Sequence, residues 1–210
     1  MDVINEKMIA ESGNRAIAWI DMGFRVIANN GKPIEKVDDL RGLKMRVPPN
    51  QYMLAAFNSW GCNATPLAWG ETINALQQGV VDGLELNYPD IAAVKLYETL
   101  KYLTEIHYKL ECSLVVVNEE WLQSQPEDVR EAIIKAGKDA MMAEREYIAG
   151  AVNDSLELLK SEGMTYVGVP KDEDVWMEKA MATWPQFYKE IGGVENLEEI
   201  MTLLGRELPQ

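Results

Sequence analysis

Arg41 to Asn50 reads RGLKMRVPPN, and its side chains alternate in kind. In an extended chain Leu43, Met45 and Val47 share one face, which puts Lys44 and Arg46 on the other. A guanidinium offers five donors in a fixed fork that matches both oxygens of a carboxylate, whereas an ammonium is a point charge. Arg46 is also the nearer of the two cations to the carboxyl end of the strand, and ligands of open α/β sheets bind beyond that edge. Arg25 stands in another strand-like run, Phe24 to Ala28. Two adjacent strands with inward-facing guanidinium groups would form a fork for an anion. A surface ion pair with Asp38 or Asp39 is the plainer alternative.

Trp69 follows the Thr65-Pro66 turn at the start of a helix. A helix amino terminus offers free N–H groups and a field that favours an anion, so the ring there either covers the apolar part of a ligand or packs in the core. Glu71, Asp82 and Glu85 are the carboxylates that an acid–base reaction would draw on. None of GxSxG, Walker A, HExxH or GxGxxG occurs, and no catalytic residue is assigned. His107 is the only histidine and, without a second imidazole or a thiolate pair, builds neither a triad nor a zinc site. Cys62 and Cys112 lie in no CxxC and are expected as buried free thiols. No metal and no cofactor is expected.

The elements that must position these residues follow from periodicity and turn chemistry. Asn14 to Ala28 is apolar-rich and ends in the strand that carries Arg25. NNGKP then gives a turn before the Arg46 strand, which Pro48 and Pro49 stop. Met53, Leu54, Phe57 and Trp60 have helical spacing and Gly61 closes that helix; LAWGETINALQQG repeats the device. NATPL reads as a loop and VVDGLELNYPD as a strand. From Ser124 the chain resembles one long helix, about Glu127 to Glu162. Ser124 and Glu127 sit at capping-box spacing, and Gly137 and Gly150 are possible bends. A strand in MTYVGVP and helices over Asp172 to Ile191 and Asn196 to Leu204 complete the chain. The order predicts an α/β three-layer lobe with a largely parallel sheet.

Composition excludes several classes. The 210 residues hold 34 acidic against 20 basic side chains, a net charge of −14, which repels a phosphate backbone; no nucleic-acid partner is expected. No apolar run approaches the roughly 20 residues that span a bilayer. The first residues show no basic segment followed by an apolar core, so no signal peptide is expected in this chain.

DDLRGLKMRVPPN, then GCNATPLAWGETINALQQGVVDGLE, then VVVNEEWLQSQPEDVREAI resemble, in order and spacing, the solute-binding subunit of tripartite ATP-independent periplasmic (TRAP) transporters. The resemblance runs from about Gly23 to the carboxyl end. It implies a type II periplasmic-binding-protein architecture and an extracytoplasmic, periplasmic protein that captures an organic acid, often a C4-dicarboxylate, sialic acid, a uronate or a keto acid. The acid would pass to membrane permease subunits. It assigns the carboxylate-pairing arginine to Arg46, a second arginine to Arg25, an aromatic cover to Trp69 and a matching acid to Glu85. The family's asparagine position is Leu86 here, with Asn87 one step later and so on the opposite face of a strand. The resemblance also implies that most of a first lobe is missing. Residues 1–22 would be its remnant, 23–109 with 164–210 the second lobe, and 110–163 a crossover strand and bridging helix. Apolar surface so uncovered would favour self-association. A small enzyme acting on an organic acid, or a non-catalytic α/β interaction module, are the alternatives.

Overall fold

The computed structural model describes residues 2–203, 205–206 and 208. Helix α1 (Asp2–Ser12) leads into strand β1 (Asn14–Phe24) and, after Arg25, strand β2 (Val26–Asn29). Neither α1 nor the length of β1 was expected, and Arg25 lies between two strands instead of inside one. Next come β3 (Lys44–Val47), α2 (Gln51–Ser59), β4 (Asn63–Pro66), α3 (Trp69–Gln77), β5 (Gly83–Leu86), α4 (Tyr88–Ala93) and β6 (Tyr102–Thr104). The second half holds β7 (Leu110–Asn118), α5 (Glu119–Gln123), α6 (Glu127–Ser161), β8 (Thr165–Gly168), α7 (Glu173–Met181) and α8 (Val194–Leu203).

Six strands form one sheet in the order β4-β3-β5-β2-β6-β8, and β1 pairs with β7 in a separate antiparallel ribbon. Within the larger sheet β2 is antiparallel to both neighbours and the other pairings are parallel. The sheet is therefore mixed where a largely parallel one was expected. Alternation along each strand fills both faces. Val26, Ala28, Leu84 and Leu86 pack with Leu76 of α3, Ile91 of α4 and Leu159 of α6, while Ile27, Met45 and Val47 pack with Phe57 of α2, Trp60 just after it and Trp176 of α7. Helices thus cover both faces of the sheet, the three layers of an α/β unit.

Four local expectations are corrected. NATP is strand β4, not loop; Pro66 is tolerated because β4 is an edge strand with one face of its backbone free. Ser124 does not cap α6: it ends α5, its hydroxyl donates to Trp121 O at 2.6 Å, and Pro126 takes the N-cap position without a side-chain bond. The helix expected over Asp172 to Ile191 stops at Met181 and resumes as a 3-10 turn, Trp184–Phe187, because Pro185 has no N–H to donate. Cys62 is buried as expected, whereas Cys112 is exposed on β7. Leu204, the expected end of the last helix, lies outside the described residues.

The long helix is unbroken from Glu127 to Ser161. Gly137 is no bend in it. A Cβ there would sit 2.4 Å from the carbonyl oxygen of Ile17, so the glycine is what lets α6 lie on β1; Gly150 meets nothing within 4 Å. Among the described residues no helix is long and apolar enough to cross a membrane.

Candidate ligand-binding site

β3 and β5 are parallel, so their carboxyl ends share one edge of the sheet, and β2, being antiparallel, starts there with Val26 opposite Leu86. That register sets Arg25, Arg46 and Leu86 around a cleft of about 580 Å³ beyond the edge. Pro48, Pro49, Asn50, Met53, Trp69, Asp90, Val94, Lys109 and Glu111 complete its lining. The volume falls in the range of small-molecule sites.

The two arginines are held differently. Arg25 is buried and its Nη2 donates to Glu85 Oε1 at 2.8 Å and to the Glu85 carbonyl at 3.1 Å. Its Nε also donates to Glu85 and its Nη1 to Glu111. Burial works against the Arg25 charge, but Glu85 and Glu111 more than offset it and hold the guanidinium above its ordinary value. Burial likewise pushes the Glu85 carboxyl up, and Arg25 partly counters this. Tyr108 donates its hydroxyl to the same carboxylate at 3.2 Å.

Arg46 is only 3% exposed, yet among the described residues it meets no carboxylate. Its Nε and Nη2 donate to the carbonyl of Leu67 at 3.0 and 2.9 Å, and its guanidinium carbon stands 5.6 Å from the centre of the Trp69 ring. Burial, together with Arg25, lowers the Arg46 guanidinium below its ordinary value, and the field of Glu85 opposes them in part. Trp69 is 43% exposed, so it stands over the cleft instead of in the core. Ala68 gives α3 no side-chain cap, which leaves its amino-terminal N–H groups uncapped by a side chain.

Asn87 is fully buried and caps α4. Its amide nitrogen donates to Asp90 Oδ2 and Glu111 Oε2, both at 2.8 Å, so it fixes two carboxylates of the cleft wall and does not itself line the space. Lys109, Asp90 and Glu111 were not singled out from the sequence. The Asn87-Tyr-Pro-Asp90 start of α4 carries a capping signal that points to Asp90. Lys109 and Glu111 carry no local signal. They arrive through the pairing of Arg25 N with Lys109 O, 3.0 Å, where β7 enters beside β1.

In the lining Arg25, Arg46 and Lys109 face Asp90 and Glu111, and Glu85 beneath Arg25 brings the carboxylates to three, so cations and acids are matched here in a chain of net charge −14. His107 stands elsewhere, with its ring nitrogens 2.8 Å from Glu173 and 3.1 Å from Glu105.

A solute-binding protein of Chromohalobacter salexigens is 32% identical over 191 residues, which is 90% of this chain and 56% of that protein. A TRAP periplasmic solute binding protein from Rhodobacter sphaeroides, solved in an apo open form, is 39% identical with a TM-score of 0.82 over 92% of this chain and 63% of that one. Another from Chromohalobacter salexigens, with bound D-glucuronate, is 28% identical with a TM-score of 0.84 over 90% of this chain and 62% of that one. The chain thus spans between 56% and 63% of the lengths of these proteins. Its α/β fold is the one these periplasmic proteins share over that part. A family profile described as bacterial extracellular solute-binding protein, family 7, matches residues 3–191, and the chain belongs to that family.

Proposed function

We propose that this chain carries the carboxylate-holding α/β unit of a periplasmic solute-binding protein that captures an organic acid, without catalysis, for the permease subunits of a TRAP-type transporter. The relative with bound D-glucuronate supports a carboxylate-bearing solute. The observation that carries the reading is Arg46, a buried guanidinium with no carboxylate partner among the described residues, at the carboxyl edge of the sheet. In this reading Arg46 makes a two-bond salt bridge with the ligand carboxylate and Trp69 covers the ligand beside it. Arg25 contributes field from the wall. Glu85 and Asn87 act through Arg25, Asp90 and Glu111 by fixing them. Residues 23–109 with 164–210 form the binding lobe, and 110–163 supply the crossover and the bridging helix.

Ligand-observed NMR of the chain with a panel of organic acids tests this. Arg46→Ala should weaken the best acid by about 2–5 kcal/mol, thirtyfold or more. Arg46→Lys keeps the charge but loses the fork, and should also weaken binding strongly. An Arg46→Ala chain that holds the acid within about threefold of the parent defeats the assignment.

A further inference from the structure

A second cavity of about 290 Å³ adjoins the acid cleft, and Asn50, Met53 and Lys109 line both. Its far wall is built by α7 and the turn after it: Met177, Met181, Trp184 and Phe187. Tyr52 packs edge-on against Phe187 at 4.7 Å, so much of the wall is ring and thioether.

Most polar groups of this wall already have partners; the indole N–H of Trp184 and the side-chain amide N–H of Asn50 are donors without a hydrogen bond among the described residues. Tyr108 donates its hydroxyl to Glu85, Thr183 donates to the carbonyl of Ala180 at 2.7 Å, Tyr52 donates to Glu190 at 3.4 Å, and the Asn50 side-chain oxygen accepts from Met53 N at 3.0 Å. A ligand hydroxyl moved here from water would find few partners, and an unpaired buried hydroxyl is unfavourable. An apolar group loses nothing of the kind, and methionine side chains adapt to its shape. At the junction Lys109 Nζ lies 3.7 Å from Met53 Sδ, which sets a cation at the mouth and apolar surface behind it.

Resting on the reading of Arg46 as the carboxylate anchor, we infer that the solute is an acid with an apolar tail, a single aromatic ring or a branched alkyl group, seated in this second cavity. Polyhydroxylated sugar acids fit it worse. The cavity selects within the carboxylates, because Arg46 reads only the head group.

The test titrates the chain, by ligand-observed NMR and thermal shift, with acetate, 4-methylpentanoate, a series of phenylalkanoates of increasing length, and D-glucuronate. The best tailed acid should bind at least tenfold more tightly than acetate and than D-glucuronate. Ala180→Phe, which fills the cavity away from Arg46, should abolish that gain and leave acetate binding as it was. Met181→Gln, which makes the wall polar without adding bulk, should reduce the gain as well and serves where Ala180→Phe does not fold. D-glucuronate binding more tightly than every tailed acid, and depending on Arg46, overturns the inference and leaves the carboxylate reading standing. Tailed acids that bind unaltered to both cavity variants also overturn it. No response to any acid, or tailed acids indifferent to Arg46→Ala, overturns both.

Discussion

Glu85 lies under the cleft with no exposed surface, and Glu85→Ala leaves Arg25 buried without its main counter-charge. Removing one partner of a buried ion pair costs about 3–5 kcal/mol, because the remaining charge is uncompensated. Two contacts survive the change: the hydrogen bond from Arg25 Nη2 to the main-chain oxygen at position 85, and the pair with Glu111. Glu111 is partly exposed, so it neutralises Arg25 in higher effective dielectric, and the loss should fall near the lower bound, about 3 kcal/mol. For a chain of this size each kcal/mol moves Tm by roughly 2–4 °C, so the transition should drop by about 6–12 °C. Glu85→Gln keeps one acceptor and the shape but not the charge, and should fall between parent and alanine. The double variant Arg25→Met with Glu85→Leu replaces the pair by apolar groups and should recover most of the loss. Urea unfolding followed by circular dichroism orders the four chains. Glu85→Ala within about 1 kcal/mol of the parent would refute the claim that this pair is a desolvated structural unit.

Gly137→Ala and Gly150→Ala gain the same helix propensity, about 1 kcal/mol each. At 137, however, the Cβ must move roughly 0.9 Å from 2.4 Å to clear the Ile17 carbonyl, so by urea midpoint it should lie about 1–3 kcal/mol below the 150 variant; equal stabilities defeat the close-packing claim. Burial pushes the Cys62 thiol up to about 12, whereas Cys112 is exposed. At mildly alkaline pH a thiol reagent should therefore label one cysteine of the folded chain quickly, Cys112, and two fast equivalents would contradict the fold. The Glu119 carboxyl, held by Arg15 at 2.6 and 2.8 Å, lies below its ordinary value of 4.5, mainly through those hydrogen bonds. Its contribution, up to about 1 kcal/mol, is present above that value and lost as pH falls through the lowered one; Arg15→Gln should flatten this part of the acid limb of stability against pH.

What was legible in the sequence follows from how local the deciding interactions are. The alternation of Leu43, Met45 and Val47 is a property of four or five consecutive residues, and it put Arg46 on the sheet face opposite those three side chains. The long helix was legible because nothing between Glu127 and Ser161 breaks its hydrogen-bond ladder. β4 was not legible, since Asn63 and Pro66 are poor strand formers that are admitted only at a sheet edge. Nor was the reach of β1, whose pairing with β7 joins Asn14 to Asn118 and brings Lys109 and Glu111 to the cleft from far along the chain.

The resemblance ranks Arg46 above Arg25 as the carboxylate partner without giving a physical reason, and the fold separates them by their neighbours. Arg46 on β3 is flanked across the sheet by Thr65 on β4 and Leu84 on β5, neither of which carries charge. Arg25 enters β2 from the opposite direction, and Ile27 opposite Glu85 fixes a register that delivers the acid to its guanidinium. Reversing one strand thus gives the first arginine an internal counter-ion and leaves the second without one among the described residues. A buried cation lacking a counter-ion is unfavourable until an anion arrives, because desolvation has already weakened its competing interaction with water. On the proposed function that deficit is the source of affinity. It predicts that placing a carboxylate beside Arg46, as in Leu84→Asp or Thr65→Asp, should abolish acid binding even though both arginines remain, and of the two the edge variant Thr65→Asp is the one better able to fold. A Thr65→Asp chain that is folded by circular dichroism and still binds the acid as the parent does would show that the unpaired charge of Arg46 is not what holds the ligand.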